Sequence, residues 1–140
     1  MATAHRDYSG TPLPRKLGIR EDSRVLILGA PTGFALGALP PGVELARSGP
    51  GAPLDVVLLF VTRSADLERR FVRLAAALDP AGRLWVAWPK KASAILTDLA
   101  FETVQRIGLG AGLVDNKSAS IDADFQVLQF VYRLKDRPRT

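Results

Sequence analysis

Arg24-Val-Leu-Ile-Leu-Gly-Ala-Pro-Thr-Gly-Phe-Ala-Leu-Gly37 is the stretch that decides how this chain is read. Val25 to Leu28 is an unbroken apolar run, and such a run belongs to a strand covered on both faces in a parallel sheet. Gly29 and Gly33 follow, with small and apolar residues beyond them. The pattern is that of a buried strand, a tight turn and the opening of a helix. Phe34, Ala35, Leu36 and Leu39 give that helix an apolar face, and Pro40-Pro41-Gly42 ends it within about two turns.

The rest of the chain reads as elements laid beside this unit. Upstream, Leu13 to Ile19 predicts a turn or two of helix closed by Gly18. Downstream, Val43 to Ala46 is a short strand, and Ser48 to Pro53 is a stiff linker. Asp55 to Val61 is the strongest strand, apolar on both faces and therefore central. Ser64 caps a helix to about Leu78, with Leu67, Phe71, Leu74 and Leu78 on one stripe. Asp79-Pro80-Ala81-Gly82 ends it, and Arg83 to Trp88 is the next strand. Thr97 or Asp98 opens another helix, with Phe101, Val104 and Ile107 inward and its end among Gly108, Gly110 and Gly112. Leu113 to Ser120 and Phe125 to Leu134 form a closing antiparallel hairpin. The reading is one α/β domain over residues 13–134, a mostly parallel Rossmann-like sheet closed by that hairpin. Residues 1–12 read as a flexible lead-in and 135–140 as a basic tail.

Composition removes several chemistries. The 140 residues contain no cysteine, which excludes disulfides, thiolate nucleophiles and thiolate metal sites. The single histidine, His5, lies in the polar lead-in, so neither a histidine-based zinc site nor a Ser-His-Asp triad is expected within the fold. No apolar run approaches a membrane span and no secretory h-region precedes the first strand, so the expected location is cytoplasmic. The net charge of +5 is spread along the chain apart from the tail, and permits nucleic-acid binding without demanding it.

Three places could hold a ligand. The turn from Gly29 through Thr32 to Gly33 could present backbone N–H groups to an anion, or be a structural bend in which Pro31 removes one donor. Trp88-Pro89-Lys90-Lys91 leaves the carboxyl end of a parallel strand, the edge where open α/β sheets place ligands. Two ammonium groups beside an indole suit a phosphate or nucleotide; the alternative is a solvated loop with both tryptophans in the core. Arg63 follows the central strand at the same edge and could join Lys90 around an anion, or be a surface charge. Asp115, Asp122 and Asp124 lack metal-site spacing and read as turn and edge residues.

The element order and Val25-Leu-Ile-Leu-Gly-Ala-Pro-Thr-Gly33 resemble class I S-adenosylmethionine-dependent methyltransferases, whose first motif typically reads V-L-D-L-G-C-G-T-G. The resemblance implies the strand order 2-1-4-5-7-6 in that family's labels, with its third strand absent. Ile27 stands where the family has an acid, Ala30-Pro31 replaces the small pair beside the cofactor, and Arg47 falls near the ribose-binding acid. These departures disfavour S-adenosylmethionine, and no cofactor is expected. The segments Tyr8-Ser-Gly-Thr-Pro-Leu13, Lys16-Leu-Gly-Ile19 and Trp85-Val-Ala-Trp-Pro-Lys-Lys91, with Asp98, resemble, more closely, a family of short bacterial proteins catalogued as a domain of unknown function. That resemblance covers nearly the whole chain and brings no activity with it.

The resulting expectation is a non-catalytic binding or regulatory module, a monomer or small homo-oligomer. It takes a small anionic ligand or a protein partner at the carboxyl edge of the sheet. The alternatives are a small S-adenosylmethionine-dependent methyltransferase and a weak nucleic-acid-associated protein.

Overall fold

The computed structural model describes residues 11–47 and 52–136. Helix α1 (Leu13–Leu17) precedes strands β1 (Arg24–Leu28), β2 (Glu44–Ala46) and β3 (Leu54–Phe60). Helix α2 (Ser64–Ala77), strand β4 (Leu78–Pro89) and helix α3 (Phe101–Gly110) follow, then β5 (Val114–Ser120) and β6 (Phe125–Val131). The lead-in up to Gly10, most of the Ser48–Pro53 linker and the end of the basic tail lie outside the described residues.

The six strands form one sheet in the order β2-β1-β3-β4-β6-β5. β1 pairs in parallel with β2 and β3, and β3 with β4. β6 is antiparallel to both β4 and β5, so β5 runs in the same direction as the first four. This is the Rossmann-like sheet with a closing hairpin implied by the sequence, in the strand order the methyltransferase resemblance implies. The reversed β6 is inserted between β4 and β5, and only β6 breaks the common direction.

Period-two alternation divides the core into two layers. Val57, Leu59, Leu84, Val86, Trp88 and Phe130 face α2 and α3, which cover them with Leu67, Phe71, Leu74, Val104 and Ile107. Close approach is built in at Gly108, where a Cβ would lie 2.0 Å from the Phe130 ring. Val25, Val56, Leu58, Trp85, Ala87 and Val127 face the other way, toward Leu17 and Ile19. There the indole N–H of Trp85 donates to the Leu17 carbonyl at 2.9 Å, fixing α1 to β4. The five-residue α1 is too short to be stable alone, so this packing is what keeps it helical.

Four local expectations are corrected. No helix follows β1: residues 30–43 are turns and irregular chain. Gly33 and Gly37 take φ values of 88° and 89°, outside the helical region, and Pro40-Pro41 cannot continue a helix. α3 opens at Phe101 rather than at Thr97 or Asp98, and Phe101 is 40% exposed rather than inward. α2 passes directly into β4 at Leu78, and Asp79–Gly82 is a bulge in that strand rather than a turn before it. β6 stops at Val131, and a single 3-10 turn occupies Leu134–Asp136.

Candidate functional site

β4 reaches the carboxyl edge at Trp88-Pro89, and the chain then crosses residues 90–100 without regular structure before α3. Hydrogen bonds to the neighbouring turns, rather than helix or strand, fix this segment. At its start the Lys90 N–H donates to the Asp124 carbonyl at 2.7 Å, and the Ser93 hydroxyl donates to Asp124 Oδ1 at 2.9 Å. At its end the Thr97 hydroxyl donates to the Thr62 carbonyl at 2.6 Å. The segment is therefore tied to the β5–β6 turn on one side and to the β3–α2 junction on the other.

Between these ties lies a cleft of about 980 Å³. Trp88, Leu99, Phe101 and Gln126 contribute to its lining, with Lys91 and Glu102 as its charged groups besides Lys90. It is open and largely apolar at the rim: Leu96 is 89% exposed, Phe101 40% and Ile95 38%. The Trp88 indole itself is buried at 1% and packs 6.4 Å from the Phe101 ring.

The two lysines differ. Lys90 Nζ donates to Ser120 Oγ and to the Asp122 carbonyl, both at 2.6 Å, and so closes the hairpin turn. Lys91 is exposed and belongs to neither of the two ion pairs among the described residues. Asp122 Oδ1 accepts from the N–H groups of Asp124 and Phe125 at 2.8 and 2.9 Å, the turn role expected of it.

The glycine turn stands apart from this cleft: Gly29, Thr32 and Gly33 are exposed and do not line it. Gly29 takes φ 73°, and a Cβ there would lie 2.5 Å from the Phe60 carbonyl oxygen, so the turn is pressed onto the end of β3. Phe34 folds back with its ring edge-on to Phe60 at 5.0 Å, and Phe60 meets Phe125 in the same way at 5.1 Å. A file of three rings thus crosses the sheet from the glycine loop to β6. Arg63 is exposed at the N-cap of α2, also outside the lining. Of the candidate residues, the cleft gathers Trp88, Lys90 and Lys91.

Asp98, expected as a possible start of α3, does its work at α2 instead. Its Oδ1 accepts from the Ser64 N–H at 2.8 Å, and the Ser64 hydroxyl donates to Oδ2 at 3.2 Å. Ser64, expected to cap α2, is instead its first helical residue and is itself capped from 34 positions away, which no local pattern could announce. Tyr132 is the residue that sequence reading passed over. It lies near the opposite edge, where β6 ends; its hydroxyl donates to the Ala75 carbonyl at 2.6 Å and burial raises its pKa. Among the described residues no group of three or more His, Cys, Asp or Glu side chains is placed to hold a metal ion. None of their helices is long and apolar enough to cross a membrane.

No family model matches the chain, and no curated protein matches it. Solved structures do. The chain is similar to a SAM-dependent methyltransferase from Aquifex aeolicus, with a TM-score of 0.57 and 14% identity over 89% of this chain and 93% of that one. A TehB-like SAM-dependent methyltransferase from Corynebacterium glutamicum gives 0.50 and 12%, over 81% and 82% of the two chains. The magnesium protoporphyrin IX methyltransferase ChlM of Synechocystis, with bound SAH, gives 0.50 and 13% over 71% of this chain. This chain spans 54% of the ChlM chain, about half its length. At identities of 12–14% the likeness shows the fold alone, the Rossmann-like sheet with a closing hairpin that these methyltransferases also have.

Proposed function

We propose that this chain is a binding module on a methyltransferase-like sheet, taking an apolar ligand with one anionic group in the cleft beside β4. The observation that carries this reading is the exposed trio Ile95, Leu96 and Phe101 around a cleft whose walls are tied at both ends. Large apolar side chains held open to water beside a cavity of this size mark a ligand or partner site. Lys91 supplies the cation at the rim, and Lys90 holds the hairpin wall.

The residues present do not fit S-adenosylmethionine at the glycine turn. No carboxylate stands at the described carboxyl ends of β1 and β2, where Ile27-Leu28 and Ala46-Arg47 are found. No helix N-terminus follows Gly33, and the Phe34 ring lies against Phe60 beside the turn. Methyl transfer is the second reading, favoured by the solved methyltransferases of this fold, one of which is covered over 93% of its length.

Calorimetry and fluorescence with the apolar anion 1-anilinonaphthalene-8-sulfonate test the first reading. The native protein should bind it saturably, and Leu96→Ser with Phe101→Ala should abolish binding while the melting temperature stays within a few degrees. Binding that survives the double substitution would remove the cleft from consideration. Micromolar binding of S-adenosylmethionine or S-adenosylhomocysteine would promote the second reading instead.

A further inference from the structure

At the opposite edge, on the face covered by α1, a groove of about 870 Å³ runs between α1, the residue 38–40 loop and strands β4 and β5. Arg15, Arg20, Arg83 and Lys117 line it, against one carboxylate, Glu21. None of the four cations belongs to the ion pairs among the described residues, which are Arg24–Glu44 and Arg69–Asp66. Three further carboxylates, Asp22, Asp55 and Asp79, line an adjoining groove that shares Arg20 and Arg83, and two of them are engaged by backbone N–H groups. Asp55 accepts the Arg24 N–H at 2.8 Å, and Asp79 accepts the Ala81 N–H at 2.9 Å. Four cations around one groove repel one another unless an anion joins them.

The central cation is positioned, not merely present. Arg83 Nη1 donates to Gln129 Oε1 at 3.2 Å, and Gln129 Nε2 donates to Asn116 Oδ1 at 2.8 Å. Gln129 is only 1% exposed, so its amide is held in one orientation by partners on both sides. Gly18 completes the slot: a Cβ there would lie 2.7 Å from Arg83 Nε. Lys117 pairs in register with Gln129, which sets its side chain on the same face. The sheet thus holds one guanidinium still while three further cations surround the same groove, with Pro40 among its apolar walls.

We propose that this groove is a second ligand site, separate from the cleft beside β4, which binds a small molecule bearing an oligophosphate. A planar guanidinium with a fixed edge suits phosphate oxygens. The cations ring a compact groove rather than following a helix or strand, which matches a short polyphosphate and not a nucleic-acid backbone.

The test is calorimetric titration of the full chain with inorganic tripolyphosphate and with ATP at about 0.1 M salt, where diffuse attraction is screened beyond about 10 Å. Saturable one-to-one binding is expected. Arg20→Ala with Lys117→Ala, both exposed, should weaken it by roughly 10- to 100-fold at unchanged melting temperature. Arg83→Lys keeps the charge and loses the fork, and should weaken binding by roughly tenfold. Arg70→Ala with Arg106→Ala removes equal charge elsewhere and should change nothing, as should Lys91→Ala in the other cleft. If Arg83→Lys lowers the melting temperature, the first double variant decides alone. Absence of saturable heat, or equal weakening by the control pair, overturns the proposal. So does a short DNA duplex that displaces tripolyphosphate and whose binding falls steeply with salt.

Discussion

Asp98 caps the helix that Ser64 begins, its two carboxylate oxygens taking the Ser64 N–H at 2.8 Å and the Ser64 hydroxyl at 3.2 Å. The contact joins the loop after β4 to the first turn of α2 and so sets one wall of the cleft. A cap of this type contributes about 0.5–2 kcal/mol. Asp98→Ala should lower unfolding free energy by that amount in urea titration, and Asp98→Asn, which keeps one acceptor, should recover part of it. Equal stability of Asp98→Ala and the native chain would show that the cap is idle.

Lys90 and Lys91 should separate cleanly. Lys90→Ala removes the two bonds that close the hairpin turn and should cost about 1 kcal/mol, a charged-group value reduced for partial exposure. Lys91→Ala should leave the melting temperature unchanged and weaken the apolar anion probe. The reverse assignment would make Lys91 the structural lysine and Lys90 the binding one.

Gly108 tests the closeness of α3 to the sheet. Alanine adds helix propensity of about 1 kcal/mol but pushes a methyl into the Phe130 ring. Overpacking of that kind costs about 1–3 kcal/mol. Gly108→Ala should therefore be net destabilising, and a rise in melting temperature would refute the packing.

Tyr132 gives the fold an alkaline limit. Burial raises its pKa above 10.0, so the folded state holds the phenolic proton more tightly than the unfolded chain. Its contribution is whole below the unfolded value and declines as pH rises from about 10 through the folded pKa. Tyr132→Phe should flatten that decline and lose about 0.5–1.5 kcal/mol near neutrality with the bond to Ala75. An unchanged alkaline profile would place the sensitivity elsewhere.

Calorimetry with S-adenosylmethionine should show no micromolar binding. Arg47→Asp should not create it, because Phe34 on Phe60 and the missing helix after Gly33 remain.

What the sequence disclosed follows from where information is local. Val25–Leu28 and Asp55–Phe60 are apolar at every or nearly every position, so burial on both faces was legible, and with it the parallel sheet. The segment after Gly33 misled because its apolar residues have helical spacing while its glycines and prolines favour other backbone angles, and backbone won. The cleft was legible only at Trp88 to Lys91. Its other wall rests on Asp98 reaching Ser64 and Ser93 reaching Asp124, contacts of 34 and 31 residues' separation with no signature in either neighbourhood. The basic groove was invisible for the same reason: Arg15, Arg20, Arg83 and Lys117 are scattered along the chain and meet only when β4 and β5 fold beside α1.

The two tryptophans, three positions apart on β4, point to opposite sides of the sheet, and the chain contains no others. Trp85 is bonded to α1 on the side of the basic groove, whereas Trp88 stands against Phe101 at the apolar cleft. The protein therefore carries one tryptophan on each face of the sheet, and of the two only Trp88 lines a candidate site. With Trp85→Phe the remaining indole emission, excited selectively over tyrosine, reports on the apolar cleft, so its occupancy can be followed without a label.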